Sequence, residues 1–230
     1  SRVTRIGGLS VDSAIRLVSA VIPHENNFWV LAQAPFLLGI PEILQALGIS
    51  DSVECVPLTL VTSTGERTVT LTPAGELRPP PGEQVGKAID MSRWVDMRHS
   101  APVPLYLDHP DRPYWVQYLS ASRMLYVSYR ASVSRPDESN TAFMARVFAM
   151  VDTLPVDKFV IDIRSNSGGE SYYNKSIVLG IVRRVALDRP GKVYAIIGRN
   201  TFSAAMNLAL ELERYTSVIF VGEPTGNSVQ

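Results

Sequence analysis

Phe159-Val160-Ile161-Asp162-Ile163-Arg164-Ser165-Asn166-Ser167-Gly168-Gly169 carries the chain from an apolar, β-branched run into a polar turn that ends in paired glycines. The first six residues predict a strand buried on both faces, as parallel strands usually are. The two glycines permit positive φ and let another group approach bare backbone, which suits a turn presenting amides to an anion or a developing oxyanion. From about Ser171 to Leu187 the residues Ile177, Val178, Ile181, Val182 and Val185 recur at helical spacing and predict a helix packed back on the sheet. Val193-Tyr194-Ala195-Ile196-Ile197, ended by Gly198, is a second buried strand. Strand, helix, strand is a βαβ crossover, and ligands of such sheets collect at the carboxyl ends of the strands.

At that same edge lies Arg199-Asn200-Thr201-Phe202-Ser203-Ala204-Ala205-Met206-Asn207, followed by a helical run with Leu208, Ala209, Leu210 and Leu212. Ser203 therefore sits where a strand turns into a helix, with the Ala204 amide in the first turn and the positive end of the helix dipole close by. Two roles fit this position. Serine is a common helix N-cap; an exposed hydroxyl among small residues and amide donors is also what a nucleophile of acyl transfer needs. Val218-Ile219-Phe220-Val221-Gly222-Glu223-Pro224-Thr225-Gly226 supplies a third strand and a turn.

Taken in order, Ile161-Asp162-Ile163-Arg164-x-Asn166-x-Gly168-Gly169, Thr201-x-Ser203-Ala204-Ala205 and Val221-Gly222-Glu223-Pro224-Thr225-Gly226 resemble the tail-specific, or C-terminal-processing, serine peptidases. The resemblance implies an α/β fold: a crotonase-like core of βα units with a PDZ-like or α+β module before it. It implies a serine endopeptidase with Ser203 as nucleophile, an oxyanion hole from Ala204 and Gly168 or Gly169, a peptide or protein substrate, no cofactor, and a secreted or periplasmic location. One departure stands out. The branch with a Ser-Lys dyad has its lysine 25 positions after the serine, and here that position is Ser228. A serine of ordinary pKa cannot serve as general base. The base is left open among Glu223, His99, His109 and Lys175, with Glu223 equally suited to orient a partner. Asp162 and Arg164 are expected to be structural, paired near the turn.

Upstream, Arg2 to Ile6, Gly7-Gly8 and a helix with Ala14, Ile15, Leu17, Val18 and Val21 on one face resemble the middle of a PDZ-like module. Helical stretches follow from Asn26 to Ala32, Pro35 to Leu38 and Pro41 to Gly48, then a β-hairpin around Ser63-Thr64-Gly65-Glu66. Cys55 is expected as a small buried residue of that hairpin's first strand. Pro79-Pro80-Pro81-Gly82 can hold neither ladder nor helix. With the resemblance, these signals imply a PDZ-like or α+β module over 1–78, expected to be partial at its start, a connecting segment over 79–112, and a crotonase-like core over 113–230, expected to be truncated at its end. Within the core, Tyr114 to Leu119 and Met124 to Tyr129 predict a hairpin, and Thr141 to Leu154 a helix with Phe143, Val147, Phe148 and Val151 facing inward.

The 230 residues are 46% hydrophobic, enough for a sizeable core, and 22 basic residues balance 22 acidic ones. That balance gives no footprint for nucleic acid. A single cysteine and three scattered histidines argue against a disulfide framework and a metal site, and no segment reaches the apolar length of a membrane span. The rival from another class is a catalytically inactive protein binding a peptide or an apolar ligand on the same scaffold. A third reading, an acyl-CoA enzyme of the crotonase type, would not need Ser203 and lacks a basic patch for the CoA phosphates.

Overall fold

Three antiparallel pairings organise the first sheet of the chain, and a mostly parallel sheet organises the second half. The computed structural model describes residues 2–73 and 103–227; the connecting residues 79–102, His99 among them, and Ser228 lie outside the described residues. The chain separates into two compact units, residues 1–78 and 79–230.

In the first unit, β1 (Arg2–Ile6) turns at Gly7-Gly8 into β2 (Leu9–Ser10), and α1 (Val11–Ser19) follows at once. Ser10 caps α1 by accepting the Ser13 amide at 3.2 Å. Helices α2 (Asn27–Leu37) and α3 (Pro41–Ala46) lead to the hairpin β3 (Val56–Thr62) and β4 (Gly65–Leu71), giving the sheet order β2-β1-β3-β4. Its core joins Ile6, Ala14, Val18, Val30, Ala34, Leu44 and Ile49. Three expectations are corrected here. Leu17 and Val21 are exposed, so the buried stripe of α1 is only Ala14 and Val18. Pro35 stands inside α2 and does not divide it, because the loss of one amide near a helix end removes few bonds. Cys55 is exposed and precedes β3; Val56 is the strand's first inward residue, and alternation sends its neighbour the other way.

The second unit is a five-stranded sheet in the order of the chain: β5 (Tyr114–Leu119), β6 (Met124–Tyr129), β7 (Lys158–Asp162), β8 (Val193–Ile197) and β9 (Ile219–Gly222). The β5–β6 hairpin is antiparallel and the rest parallel. The crossovers are α4 (Asn140–Thr153), α5 (Asn174–Val182) and α6 (Ala204–Tyr215). Leu125, Val127, Phe159, Ile161, Val193 and Ala195 point to the helices and form the main core with Phe143, Phe148, Ile177, Ile181 and Leu208. The alternate residues Tyr126, Val160, Tyr194 and Ile196 point to the other face, where they join Trp115 and Leu105. The expected helix from 171 to 187 is shorter: a 3₁₀ turn over Ser171–Tyr173, then α5, which ends at Val182. Val182 and Val185 are exposed, the latter at 72%. The mixed α/β fold agrees with the sequence reading.

Candidate active site

The carboxyl ends of β7, β8 and β9 lie side by side, because Asp162 pairs with Ile196 and Ile197 with Gly222. Each end feeds one of the three sequence motifs, so the sheet itself gathers them. Hydrogen bonds then fix the loops to one another. Thr201, fully buried, donates its hydroxyl to the Ile163 carbonyl at 2.9 Å and accepts the Gly198 amide at 3.0 Å. The Phe202 amide donates to the Asn166 carbonyl at 3.0 Å, and the Gly226 amide to the Thr201 carbonyl at 3.1 Å.

Ser203 stands immediately before α6 with φ +52° and ψ −124°, a left-handed conformation uncommon outside glycine. Holding a serine there costs on the order of 1–3 kcal/mol and needs surroundings that over-determine it. These dihedrals exclude the capping role. An N-cap has extended backbone and bonds the amide of the first turn; Ser203 has neither feature and makes no capping bond. The residue is exposed, and its hydroxyl has no hydrogen-bond partner among the described residues. A tight strand-to-helix turn with a serine in strained backbone is the geometry of a nucleophile elbow.

The Gly168-Gly169 turn lies against this serine. A carbon placed on Gly168 would stand 2.7 Å from Ser203 Cβ, 3.1 Å from its Oγ and 3.3 Å from the Ala204 amide nitrogen. Both glycines have positive φ, +119° and +127°. The two amides differ in availability. That of Gly168 donates to Asn166 Oδ1 at 2.8 Å, while Asn166 Nδ2 donates to the Tyr129 carbonyl at 3.0 Å. The Gly169 and Ala204 amides have no acceptor among the described residues. Gly169 itself is tied in through Ser132, whose amide donates to the Gly168 carbonyl and whose carbonyl accepts from Glu170.

Below the turn, the buried Asp162 carboxylate accepts from the Tyr126 hydroxyl at 2.7 Å and from Arg164 Nε at 3.0 Å. Burial first, and then the Asp162 charge, push the Tyr126 phenol well above its ordinary value, so it stays a proton donor to Asp162. Arg164 continues outward to lie 4.5 Å over the Tyr106 ring. The pairing of Asp162 with Arg164 is the one expected from the sequence.

The remaining candidates are placed elsewhere or engaged. Glu223 takes a bidentate contact from Arg199 at 2.8 and 2.7 Å, and that guanidinium holds its carboxyl below the usual range. His109 sits at φ +48°, its ring 5.1 Å from Trp115, its carbonyl accepting from Arg130. Lys175 is exposed on α5 and lines a groove of about 510 Å³ with Thr141, Met144 and Tyr172. Among the described residues no group of three or more His, Cys, Asp or Glu side chains is placed to hold a metal ion, and no helix is long and apolar enough to cross a membrane.

Two residues of the site are given no role by the sequence reading, although Asn166 stands in one of its motifs. Asn166 has a local signal, since an asparagine two before a glycine often bonds that glycine's amide. Asn227 has none: its Oδ1 accepts the Ser203 amide at 2.7 Å from the far side of β9.

No protein-family profile and no curated protein matches the chain. Among solved structures, mature CPAF complexed with lactacystin is similar over 97% of this chain and 63% of its own, at 10% identity and a TM-score of 0.56. Mature CPAF alone is similar over 97% and 62%, at 12% identity and a TM-score of 0.55. The photosystem II D1 C-terminal processing protease is similar over 97% and 51%, at 15% identity and a TM-score of 0.38. The chain thus spans between about half and two-thirds of the length of these structures. At such identities the likeness to CPAF is one of fold.

Proposed function

We propose that the chain carries the nucleophile and oxyanion hole of a serine-type peptide hydrolase of the tail-specific kind. The observation that supports this most is the strained, exposed, uncapped conformation of Ser203 against the Gly168-Gly169 turn. A buried apolar role would not need the exposure, and a capping role would not tolerate the dihedrals. In this reading Ser203 Oγ attacks the scissile carbonyl carbon while its proton passes to a general base. The carbonyl oxygen, now anionic, accepts from the Ala204 and Gly169 amides; Gly168 contributes its lack of a side chain and not its amide, which Asn166 holds. Collapse expels the amine, which takes up a proton, and water then hydrolyses the acyl-enzyme. Loss of one such donor typically costs about 100- to 1,000-fold in rate. The general base stays open among Glu223, His99, His109 and Lys175; of these, Glu223 is engaged by Arg199 and Lys175 lines the groove beside α4.

The test is labelling by a fluorophosphonate probe, with the adduct located by mass spectrometry. Modification of Ser203 that disappears in Ser203→Ala supports the reading; a wild-type protein left unmodified under conditions that label a control hydrolase refutes it.

One observation favours the second reading, a binding protein. The sheet face opposite the helices holds an apolar groove of about 500 Å³ floored by Met124, Tyr126, Val160, Tyr194 and Ile196. Saturable binding of a fluorescent fatty acid there, lost in Val160→Asp, in a protein that takes no probe would establish the carrier.

A further inference from the structure

We infer that Asn227 is a positioning residue that selects between two states of Ser203, the exposed elbow and an ordinary helix cap. The inference rests on Ser203 being the nucleophile, and deepens that reading by naming what keeps the hydroxyl outward. Serine at a helix start has a low-energy alternative: extended backbone, with Oγ accepting the amide of the second or third helical residue. Here those amides belong to Ala205 and Met206. Ala205 already donates to the Phe202 carbonyl at 3.1 Å, but the Met206 amide has no acceptor among the described residues. The capped state is therefore open to Ser203 and would relieve its strain. Something has to weigh against it.

The counterweight is the contact from Ser203 N–H to Asn227 Oδ1 at 2.7 Å. The Ser203 amide is aimed at this acceptor by the same positive φ that exposes the hydroxyl, so rotation into the capped state would break the bond. Asn227 is itself held. Its carbonyl accepts the Thr225 hydroxyl at 2.9 Å, that hydroxyl also lies 3.2 Å from Met206 Sδ, and the Gly226 amide is fixed on the Thr201 carbonyl at 3.1 Å. The loop after β9 is thus stitched to both sides of the elbow and presents one side-chain oxygen to it. An intramolecular bond of this kind offsets backbone strain of comparable size, so its loss shifts the balance toward the capped state.

The experiment compares wild type, Asn227→Ala and Asn227→Asp by two measurements. Amide hydrogen exchange, followed by NMR at Ser203 and Met206, reads the switch without reference to activity. Fluorophosphonate labelling, fitted for maximal rate and half-saturating concentration, reads its consequence. In Asn227→Ala the Ser203 amide exchanges at least about tenfold faster and the Met206 amide slower, and the maximal labelling rate falls about 10- to 100-fold at unchanged half-saturation. Asn227→Asp, which keeps an acceptor oxygen, stays within about threefold of wild type in both. Unchanged exchange at Ser203 in Asn227→Ala overturns the inference, as does an equal loss of labelling in Asn227→Asp. If the exchange swap appears in Asn227→Ala while the wild type takes no probe, the positioning role stands and the hydrolase reading falls.

Discussion

The backbone of Gly168 runs so close to the side chain of Ser203 that a methyl group on it would overlap Ser203 Cβ at 2.7 Å. Gly168 is buried and holds φ +119°, so Gly168→Ala meets strain and collision together. The variant should lose about 1–3 kcal/mol of stability, a fall in Tm of about 2–4 °C per kcal/mol for a chain of this size. Labelling of Ser203 should fall by more than about 100-fold, far beyond what the lost stability accounts for. Differential scanning fluorimetry and probe kinetics on the same preparation separate the two effects.

Asn166 supports that turn from beneath, with its amide donating to Tyr129 and its Oδ1 accepting from Gly168. Because the side chain is fully buried, Asn166→Ala leaves two backbone groups unsatisfied and should cost about 2–4 kcal/mol in chemical denaturation. Asn166→Asp keeps the acceptor and loses the donor, so it should retain a larger share of labelling than the alanine variant.

The candidates for general base give contrasting expectations. Lys175→Ala should leave the labelling rate within about twofold, since the lysine lines the groove beside α4 and α5. Glu223→Gln breaks an exposed pair with Arg199 and should change stability little. A loss of labelling above about tenfold in either variant would reassign the base.

Much of this arrangement was legible in the residues, and the reasons are specific. Phe159 to Ile161 and Val193 to Ile197 are apolar on both faces: helices cover one side, and on the other Val160, Tyr194 and Ile196 join Trp115, Tyr126 and Leu105 in an apolar cluster, so the parallel reading held. The Ser203 corner was visible because small residues and a strand end precede a helix. What the sequence concealed was that Ser203 is not a cap: its dihedrals lie outside the capping range, and the amides of Phe202 and Ser203 are bonded to Asn166 and Asn227, distant in the chain. The end of α5 was missed for a different reason. Val182 and Val185 continue the helical spacing, yet Asp188 turns away to accept the Ser217 amide at 2.6 Å, and Gly191 at φ +80° carries the chain into β8. Periodicity reports what a helix would bury, not where the backbone finds a better partner.

The pH dependence of stability follows from the carboxylates held by arginines. Side-chain hydrogen bonds from Arg146, Arg184 and Arg199 lower the values of Glu138, Asp152 and Glu223 from the ordinary 4.5, 3.8 and 4.5. A depressed folded value means the contribution is present above the unfolded value and is lost as pH falls through the folded one. Tm should therefore be flat from pH 7 to about 5 and fall below about 4.5. Glu211, raised by burial, works in the opposite sense and blunts the upper part of that fall. The exposed pairs of Glu138 and Asp152 are worth only about 0.2–1 kcal/mol each, so Asp152→Asn should lower Tm slightly at pH 7 and by less at pH 3.

Helix α5 reaches α4 through Gly180, where an added methyl would stand 1.9 Å from Phe148 Cε2. The ring cannot move aside freely: it is buried, stacked 5.8 Å from Phe159 and covered by the Arg184 guanidinium at 4.7 Å. Gly180→Ala gains about 1 kcal/mol of helix propensity but forces an overpacked core that costs about 1–3 kcal/mol. The collision should win, with a net loss of up to about 2 kcal/mol in urea denaturation. If Phe148 is the obstacle, Phe148→Leu should make room, and the double variant should be less destabilised than the two single changes added together by at least about 0.5 kcal/mol. Gly180→Ala with stability at or above wild type would mean that α5 shifts along α4 to admit the methyl. The Asn174 side chain, which donates to the Ala204 carbonyl at 3.0 Å, would then move with it and carry the disturbance to the start of α6 and Ser203.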